Sequence, residues 1–242
     1  MKMQTILNFM LNLIVPPRCP ISGEMVNESG ELSPEVWGQL QFIVSPFCAS
    51  CGVPFSNETV TPADMVCASC LLHAPQYDCA RSAVVYDDLS KQLVLRFKHG
   101  DHLYLLKCFQ PWLEHAGADI IDAADCVIPV PLHWTRMLKR RYNQAGILAR
   151  AIADKYKLSF EPQLLKRVKA TAPQGVRKVK DRKQNVSKAF HCPSPDQLKG
   201  KAVLLIDDVM TSGATVDECA KVLKQAGARA VYVLSIARAV KD

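Results

Sequence analysis

No uninterrupted apolar run in the 242-residue chain approaches the roughly 18 residues that a membrane-crossing helix needs. The sequence therefore predicts no transmembrane segment. The apolar stretch at residues 1–15 is broken by Asn8 and Asn12, and no small-residue cleavage site follows before Pro16 and Pro17. It reads less as a secretory signal than as an amphipathic helix packed on the body, with Thr5, Asn8 and Asn12 on one stripe. The histidines, His99, His102 and His133 among them, show no metal-ligand spacing and read as surface residues. No segment has the pattern of a nucleobase pocket.

Cysteine is abundant: 10 residues in a chain of this length with no export signal. Such usage points to metal ligation in a reducing cytoplasm rather than to disulfides. Cys48-x2-Cys51 is followed, after fifteen intervening residues, by Cys67-x2-Cys70. This is the four-thiolate zinc pattern, with two disulfides or unrelated thiols as the plainer alternatives. Four thiolates leave no open coordination position, so a structural Zn²⁺ at one site is expected. Cys19-Pro20-Ile21-Ser22 looks like half of a second knuckle whose other half, residues 32–37, has Ser33 and Val36 in place of sulfur. One thiolate does not hold a zinc ion, and none is expected there. Cys79, Cys108, Cys126, Cys192 and Cys219 sit in apolar or helical settings and read as core or inert surface residues.

Residues 203–215, Val-Leu-Leu-Ile-Asp-Asp-Val-Met-Thr-Ser-Gly-Ala-Thr, carry the most chemistry. The apolar run at 203–206 predicts a parallel strand buried on both faces. Asp207 and Asp208 then emerge at its carboxyl end, where open α/β sheets bind ligands. Two carboxylates there can accept hydrogen bonds from vicinal ribose hydroxyls. Thr211, Ser212, Gly213, Ala214 and Thr215 form a hydroxyl-rich loop whose glycine lets the backbone approach an anion, with a helix N-terminus behind it. That helix is expected over 216–226, with Gly227 ending it and a strand over 231–236 following. Thr215-x-x-Glu218 also reads as a capping box. An ordinary strand end is the plain alternative. A receiver-like acidic pair belongs near the start of its domain, and only about thirty residues follow Asp208.

Charge is concentrated rather than spread. Between Lys166 and Lys188 stand nine lysines and arginines against one acid, Asp181, whereas the whole chain carries +7. Arg177, Lys178, Lys180, Arg182 and Lys183 form its centre, Pro173 and Gly175 interrupt it, and it contains no aromatic residue. A solvated cationic loop, a lid over a pyrophosphate and a track for nucleic-acid phosphates all fit. Single-strand binders normally interleave aromatics for stacking.

The middle of the chain reads as a strand over 81–87, helices over 89–99 and 103–115, a buried strand over 126–131 broken by two prolines, and a helix reaching about residue 156. Arg136, Lys139, Arg140 and Arg141 follow the broken strand, either facing a diphosphate or lying on a solvated helix face.

Residues 203–215 resemble the phosphoribosyl pyrophosphate (PRPP) motif of type I phosphoribosyltransferases. With Pro129-Val130-Pro131-Leu132-His133, residues 140–144 (Arg-Arg-Tyr-Asn-Gln), residues 171–174, Asn185-Val186, Ala189-Phe190 and the paired cysteines, nearly the whole chain is similar in order to the ComF family. The resemblance implies an α/β fold. A type I phosphoribosyltransferase-like domain with a central, mostly parallel sheet spans 81–242, preceded at 1–80 by an N-terminal helix and a zinc-ribbon-like module with a degenerate first knuckle. It also implies PRPP, or a related phosphoribosyl ligand, bound with Mg²⁺. Asp207 and Asp208 would hold the ribose, residues 211–215 the 5-phosphate and Pro129–Leu132 the pyrophosphate, with the basic segment as a flexible loop. Members are linked to natural transformation, which suggests single-stranded DNA and a helicase-like ATPase as partners. A non-catalytic binding module and a nucleotide-salvage phosphoribosyltransferase are the competing functions.

Overall fold

The computed structural model describes residues 16–55, 64–98, 102–132, 142–169 and 186–240. The expected helix at 1–15 lies outside them. In chain order the elements are helix α1 (Pro34–Gly38), helix α2 (Ala68–Leu72), strand β1 (Cys79–Val85), helix α3 (Asp88–Lys98), helix α4 (Leu106–Ala116), short helix α5 (Ala118–Ile121) and strand β2 (Cys126–Pro129). Helix α6 (Gln144–Tyr156), strands β3 (Ser159–Phe160), β4 (Lys166–Arg167), β5 (Phe190–His191) and β6 (Ala202–Met210), helix α7 (Ala214–Gln225) and strand β7 (Ala230–Arg238) complete them.

Five strands form one sheet in the order β1-β7-β6-β2-β3, and every pairing in it is parallel. A separate antiparallel pair joins β4 to β5. Parallel sheets need both faces covered, and alternate residues of β6 serve the two faces. Val203 and Leu205 pack on the side that carries α7, with Cys219, Ala220 and Leu223. Leu204 and Ile206 pack on the side of α3, α4 and α6, with Phe97, Phe109 and Leu148.

The cysteine-bearing region is built into this body. The chain at 41–43 runs antiparallel along the free edge of β1, through Ile43 N–H to Ala83 O (2.9 Å) and Val85 N–H to Gln41 O (2.8 Å). Cys48 and Cys51 share a core cluster with β6 and α7. In the eroded knuckle Cys19 and Val36 are buried, and the Ser22 and Ser33 hydroxyls hydrogen-bond at 3.1 Å where paired thiolates would otherwise stand.

Two local expectations are corrected. Strand β6 does not end at 206 but continues through both acids to Met210, because β7 goes on pairing with it (Asp207 with Ser235, Met210 with Arg238). Helix α7 starts at Ala214 with Gly213 as its N-cap at φ 74°, so Thr215 lies inside the first turn and caps nothing. Its supposed box partner Glu218 instead accepts the Lys188 amide at 2.7 Å. Gly213 wins the cap because a left-handed turn is needed between strand and helix, and glycine adopts it without a Cβ clash.

Gly52 shows how closely the cysteine module meets the sheet. It sits at φ 67°, and a Cβ there would lie 2.5 Å from the Ala80 carbonyl oxygen. We expect Gly52→Ala to lower stability by more than the about 1–3 kcal/mol of left-handed strain alone. Gly38→Ala, which meets nothing within 4 Å, should leave the thermal midpoint unchanged or slightly raised. A thermal denaturation series on both variants checks the contrast.

Candidate functional site

Strand β2 stops pairing with β6 at Pro129, opposite Ile206, while β6 runs on beside β7. The mismatch opens a crevice at the carboxyl edge of the sheet, a cavity of about 200 Å³. Its walls include Asp207 and Asp208, then Thr211, Gly213, Ala214 and Thr215, and across from them Val130, Pro131 and Leu132. Pro129 ends β2 just outside, and Ser212 faces a second cavity behind the loop. Thus the acids, most of the hydroxyl loop and most of the proline loop, far apart in sequence, share one space.

Successive strand residues point to opposite faces, and the acids find different partners. Asp208 meets Lys98 Nζ, at the end of α3, at 2.9 Å. Asp207 accepts the Asp208 amide at 2.9 Å. Burial, and then the neighbouring Asp208 charge, push the Asp207 carboxyl up to about 7, against the pull of Lys98 and Arg167. Arg167 lines the same crevice from β4, with its guanidinium 5.4 Å from the Phe190 ring centroid. Lys98 and Arg167 both line the crevice; motif reading misses the first and takes the second only as part of the cationic 166–188 segment. Each is one cation on an ordinary element, and only the fold brings it to the carboxylates.

The Tyr142-Asn143-Gln144 run holds the crevice together. Tyr142 Oη donates to Phe97 O at 3.0 Å and the Gln144 amide to Lys98 O at 3.3 Å, fixing the end of α3 from which Lys98 reaches out. Asn143 Nδ2 donates to Val130 O at 3.1 Å, fixing the proline loop. Arg140 and Arg141 lie outside the described residues, as do Arg177, Lys178, Lys180, Arg182 and Lys183.

On the other side of the phosphate-loop candidate, Cys48, Cys51, Cys67 and Cys70 converge with all four sulfurs within 4.8 Å of one another. Every cysteine is unbridged. The Cys51 and Cys67 sulfurs lie 3.8 Å apart, the separation that a tetrahedral ion with Zn–S bonds of about 2.3 Å imposes. Amide N–H groups of Cys51 and Cys67 point at Cys48 Sγ at 3.4 and 3.2 Å, as in a loop folded around a thiolate. The four residues fit a structural Zn²⁺, whose contribution is to cross-link two short loops that share few other contacts.

Residues 10–71 match the double zinc ribbon domain family and residues 145–240 the phosphoribosyl transferase domain family. The chain is 30% identical over 207 residues to competence protein F of Haemophilus influenzae, covering 83% of this chain and 88% of that protein. It belongs to the competence protein F (ComF) family. Other relatives are the DNA utilization protein YhgH of Escherichia coli, 27% identical over 79% of this chain and 83% of that protein, and competence protein ComFC of Bacillus subtilis, 25% identical over 78% and 76%. For a member of this family the two halves, zinc ribbon and phosphoribosyltransferase fold, meet at Thr211, Gly213 and Ala214, which line both the crevice and the cavity beside the cysteines.

Two outcomes follow from this geometry. Because the folded state raises the Asp207 pKa, ionising this residue opposes folding; its stabilising contribution is complete in acid and is lost as pH climbs through about 7. Asp207→Asn, which keeps the acceptor for the Asp208 amide, should therefore melt about 2–4 °C above wild type near pH 8.5, the shift produced by about 1 kcal/mol in a chain of this size. The gap should narrow steadily as pH falls from about 7 and close only near 3.8, where the carboxyl becomes neutral in the unfolded chain as well, as differential scanning fluorimetry can read. Elemental analysis of purified protein should give about one zinc per chain, lost in Cys67→Ser. Two per chain would mean that the eroded knuckle binds metal, and none would remove the four-thiolate site.

Proposed function

We propose that the crevice binds phosphoribosyl pyrophosphate and that the protein acts on phosphoribosyl groups in the handling of incoming DNA. The observation that carries this reading is the placement of a carboxylate pair and a hydroxyl-rich helix N-terminus at two ends of one small cavity. In it Asp207 and Asp208 accept hydrogen bonds from the ribose hydroxyls. The backbone of 213–215 and the hydroxyls of Thr211 and Thr215 receive the 5-phosphate against the positive end of α7. Val130, Pro131 and Leu132 lie along the pyrophosphate.

Among the described residues the crevice offers two carboxylates, one already paired with Lys98. That is too few for a protein cage around a divalent ion and suits Mg²⁺ arriving on the ligand's own phosphates. Bound there with Asp207 and Asp208 nearby, Mg²⁺ supplies charge neutralisation for a departing pyrophosphate. The protein's part is positioning and electrostatics. Asp208, held in place by Lys98, lies beside the sugar as the anomeric carbon becomes cationic. Arg167 adds positive charge on the opposite wall. No nucleophile from the chain takes part.

The relatives named for competence and DNA utilization support the DNA-uptake setting. We assign the segment 166–188, the most cationic in the sequence, to contacts with single-strand phosphates, in company with a helicase-like ATPase.

Calorimetry of PRPP with Mg²⁺ should show binding to wild type and at least a tenfold loss in Asp207→Asn/Asp208→Asn. Absence of wild-type binding would overturn the sugar-phosphate reading. Binding without pyrophosphate release for any nucleobase would make the site a sensor rather than a transferase. Affinity for single-stranded DNA should fall steeply with salt. Neutralising Arg177, Lys178, Lys180, Arg182 and Lys183 should flatten the log–log slope by up to about 3.5, at about 0.7 per phosphate contact, and an unchanged slope would clear the segment of DNA binding.

A further inference from the structure

We propose that Arg238 is the charge partner of the zinc–tetrathiolate centre, and that through Arg238 the zinc ribbon holds the phosphate loop in shape. Arg238 is the one charged residue among the described buried ones, 9% exposed. Its Nε and Nη1 are buried and have no hydrogen-bond partner among the described residues. A buried guanidinium left in that condition is strongly unfavourable, so a stable fold has to bring it a counter-charge.

That counter-charge lies in the same cavity. Arg238 lines a space of about 420 Å³ together with Cys51, Cys67, Cys70 and Asp217, whose carboxylate already accepts the Gln76 amide at 2.6 Å. Four thiolates around one Zn²⁺ carry two net negative charges, and Cys48 and Cys51 are almost wholly shielded from water. Neutral amide donors orient toward such a centre without cancelling its charge, whereas a guanidinium does both.

The link to the loop is structural. Arg238 pairs in register with Met210, the last residue of β6 before the loop, and the next amide, Ala239 N–H, donates to Met210 O at 3.0 Å. Buried Tyr77 fills the remaining gap, its hydroxyl 3.7 Å from where a Cβ on Gly213 would lie. An Arg238 drawn toward the metal centre therefore pins the strand end that launches residues 211–213. The charge partnership rests on the cysteine cluster and is read through zinc release, whereas its effect on the loop rests on the phosphoribosyl reading and is read through ribose 5-phosphate affinity, so the two failures are distinguishable.

The test uses the full-length zinc-loaded protein and the rate at which zinc passes to an excess of a colorimetric chelator. Arg238→Met should release zinc at least tenfold faster than wild type, and Arg238→Lys within threefold of it. Ribose 5-phosphate affinity, measured on the still-loaded variants, should fall at least fivefold in Arg238→Met and recover in Arg238→Lys. Wild-type zinc release in Arg238→Met overturns the proposal. If ribose 5-phosphate affinity is nevertheless lost in that case, Arg238 serves a bound anion instead. A Lys variant as leaky as the Met variant also overturns it. Should Arg238→Met not fold, Cys51→His/Arg238→Met lowers the centre to a single negative charge. Recovery of folded, loaded protein supports the charge partnership, and failure to recover it overturns it.

Discussion

The site depends on a difference in strand length. Strand β2 leaves the sheet at Pro129 while β6 continues for four residues, to Met210, with β7 as its only paired strand among the described residues. A proline can neither donate to the ladder nor extend it inside a sheet, and Pro131 follows two residues later. The consequence is a notch at the carboxyl edge whose floor is the continuing backbone of β6. Two carboxylates in a fully paired strand would meet a neighbour on each side and no ligand; beside the notch they are half-buried and reachable.

Half-burial sets the electrostatics. Two adjacent carboxylates in a site of reduced polarity resist simultaneous ionisation, and the fold answers with unequal partners. Asp208 receives Lys98, whereas Asp207 has an amide and a more distant guanidinium, which leave its pKa raised to about 7. The stability lost on ionising Asp207 is what a ligand hydroxyl or a ligand-borne cation can return on binding. The acid pair is in this sense a strained site, held by the surrounding sheet rather than by its own contacts.

Much of this architecture was legible because it is periodic or local. The apolar runs at 126–131, 203–206 and 231–236 announced strands, the first ending two residues earlier than read, at Pro129, and Cys48, Cys51, Cys67 and Cys70 announced their own convergence through loop spacing. The end of β6 and the start of α7 were misread for one reason. Polarity suggested that the strand stops at Asp207, but pairing with β7 continues regardless of side-chain character, and Gly213 supplies the turn that Thr215 was expected to make. Lys98 was invisible to pattern reading, since a cation at a helix end carries no periodic signal, and Arg167 was read only as one charge in the cationic 166–188 segment, not as a wall of the crevice. The role of Tyr142, Asn143 and Gln144 as clamps was hidden as well, because their acceptors are carbonyls on α3 and after β2, 13 to 46 residues away.

The zinc ribbon gains a role in the binding fold from its position rather than from its chemistry. A four-thiolate ion cannot bind substrate, and a module attached only by a linker would have no effect on a crevice in the sheet. Here the 41–43 segment extends the edge of β1, Gln76 N–H donates to Asp217 in the first turn of α7 at 2.6 Å, and Cys48 and Cys51 lie in the core cluster that contains Met210 and Ala214. The hydroxyl-rich loop is thus packed between the crevice in front and the cysteine centre behind. A loop of small residues has few contacts of its own to define its shape, so its geometry is set by what backs it. The first knuckle, with Cys19 as its one sulfur and Ser22 and Ser33 hydrogen-bonded to each other, shares no core cluster with the loop among the described residues, whereas Cys48 and Cys51 of the second do.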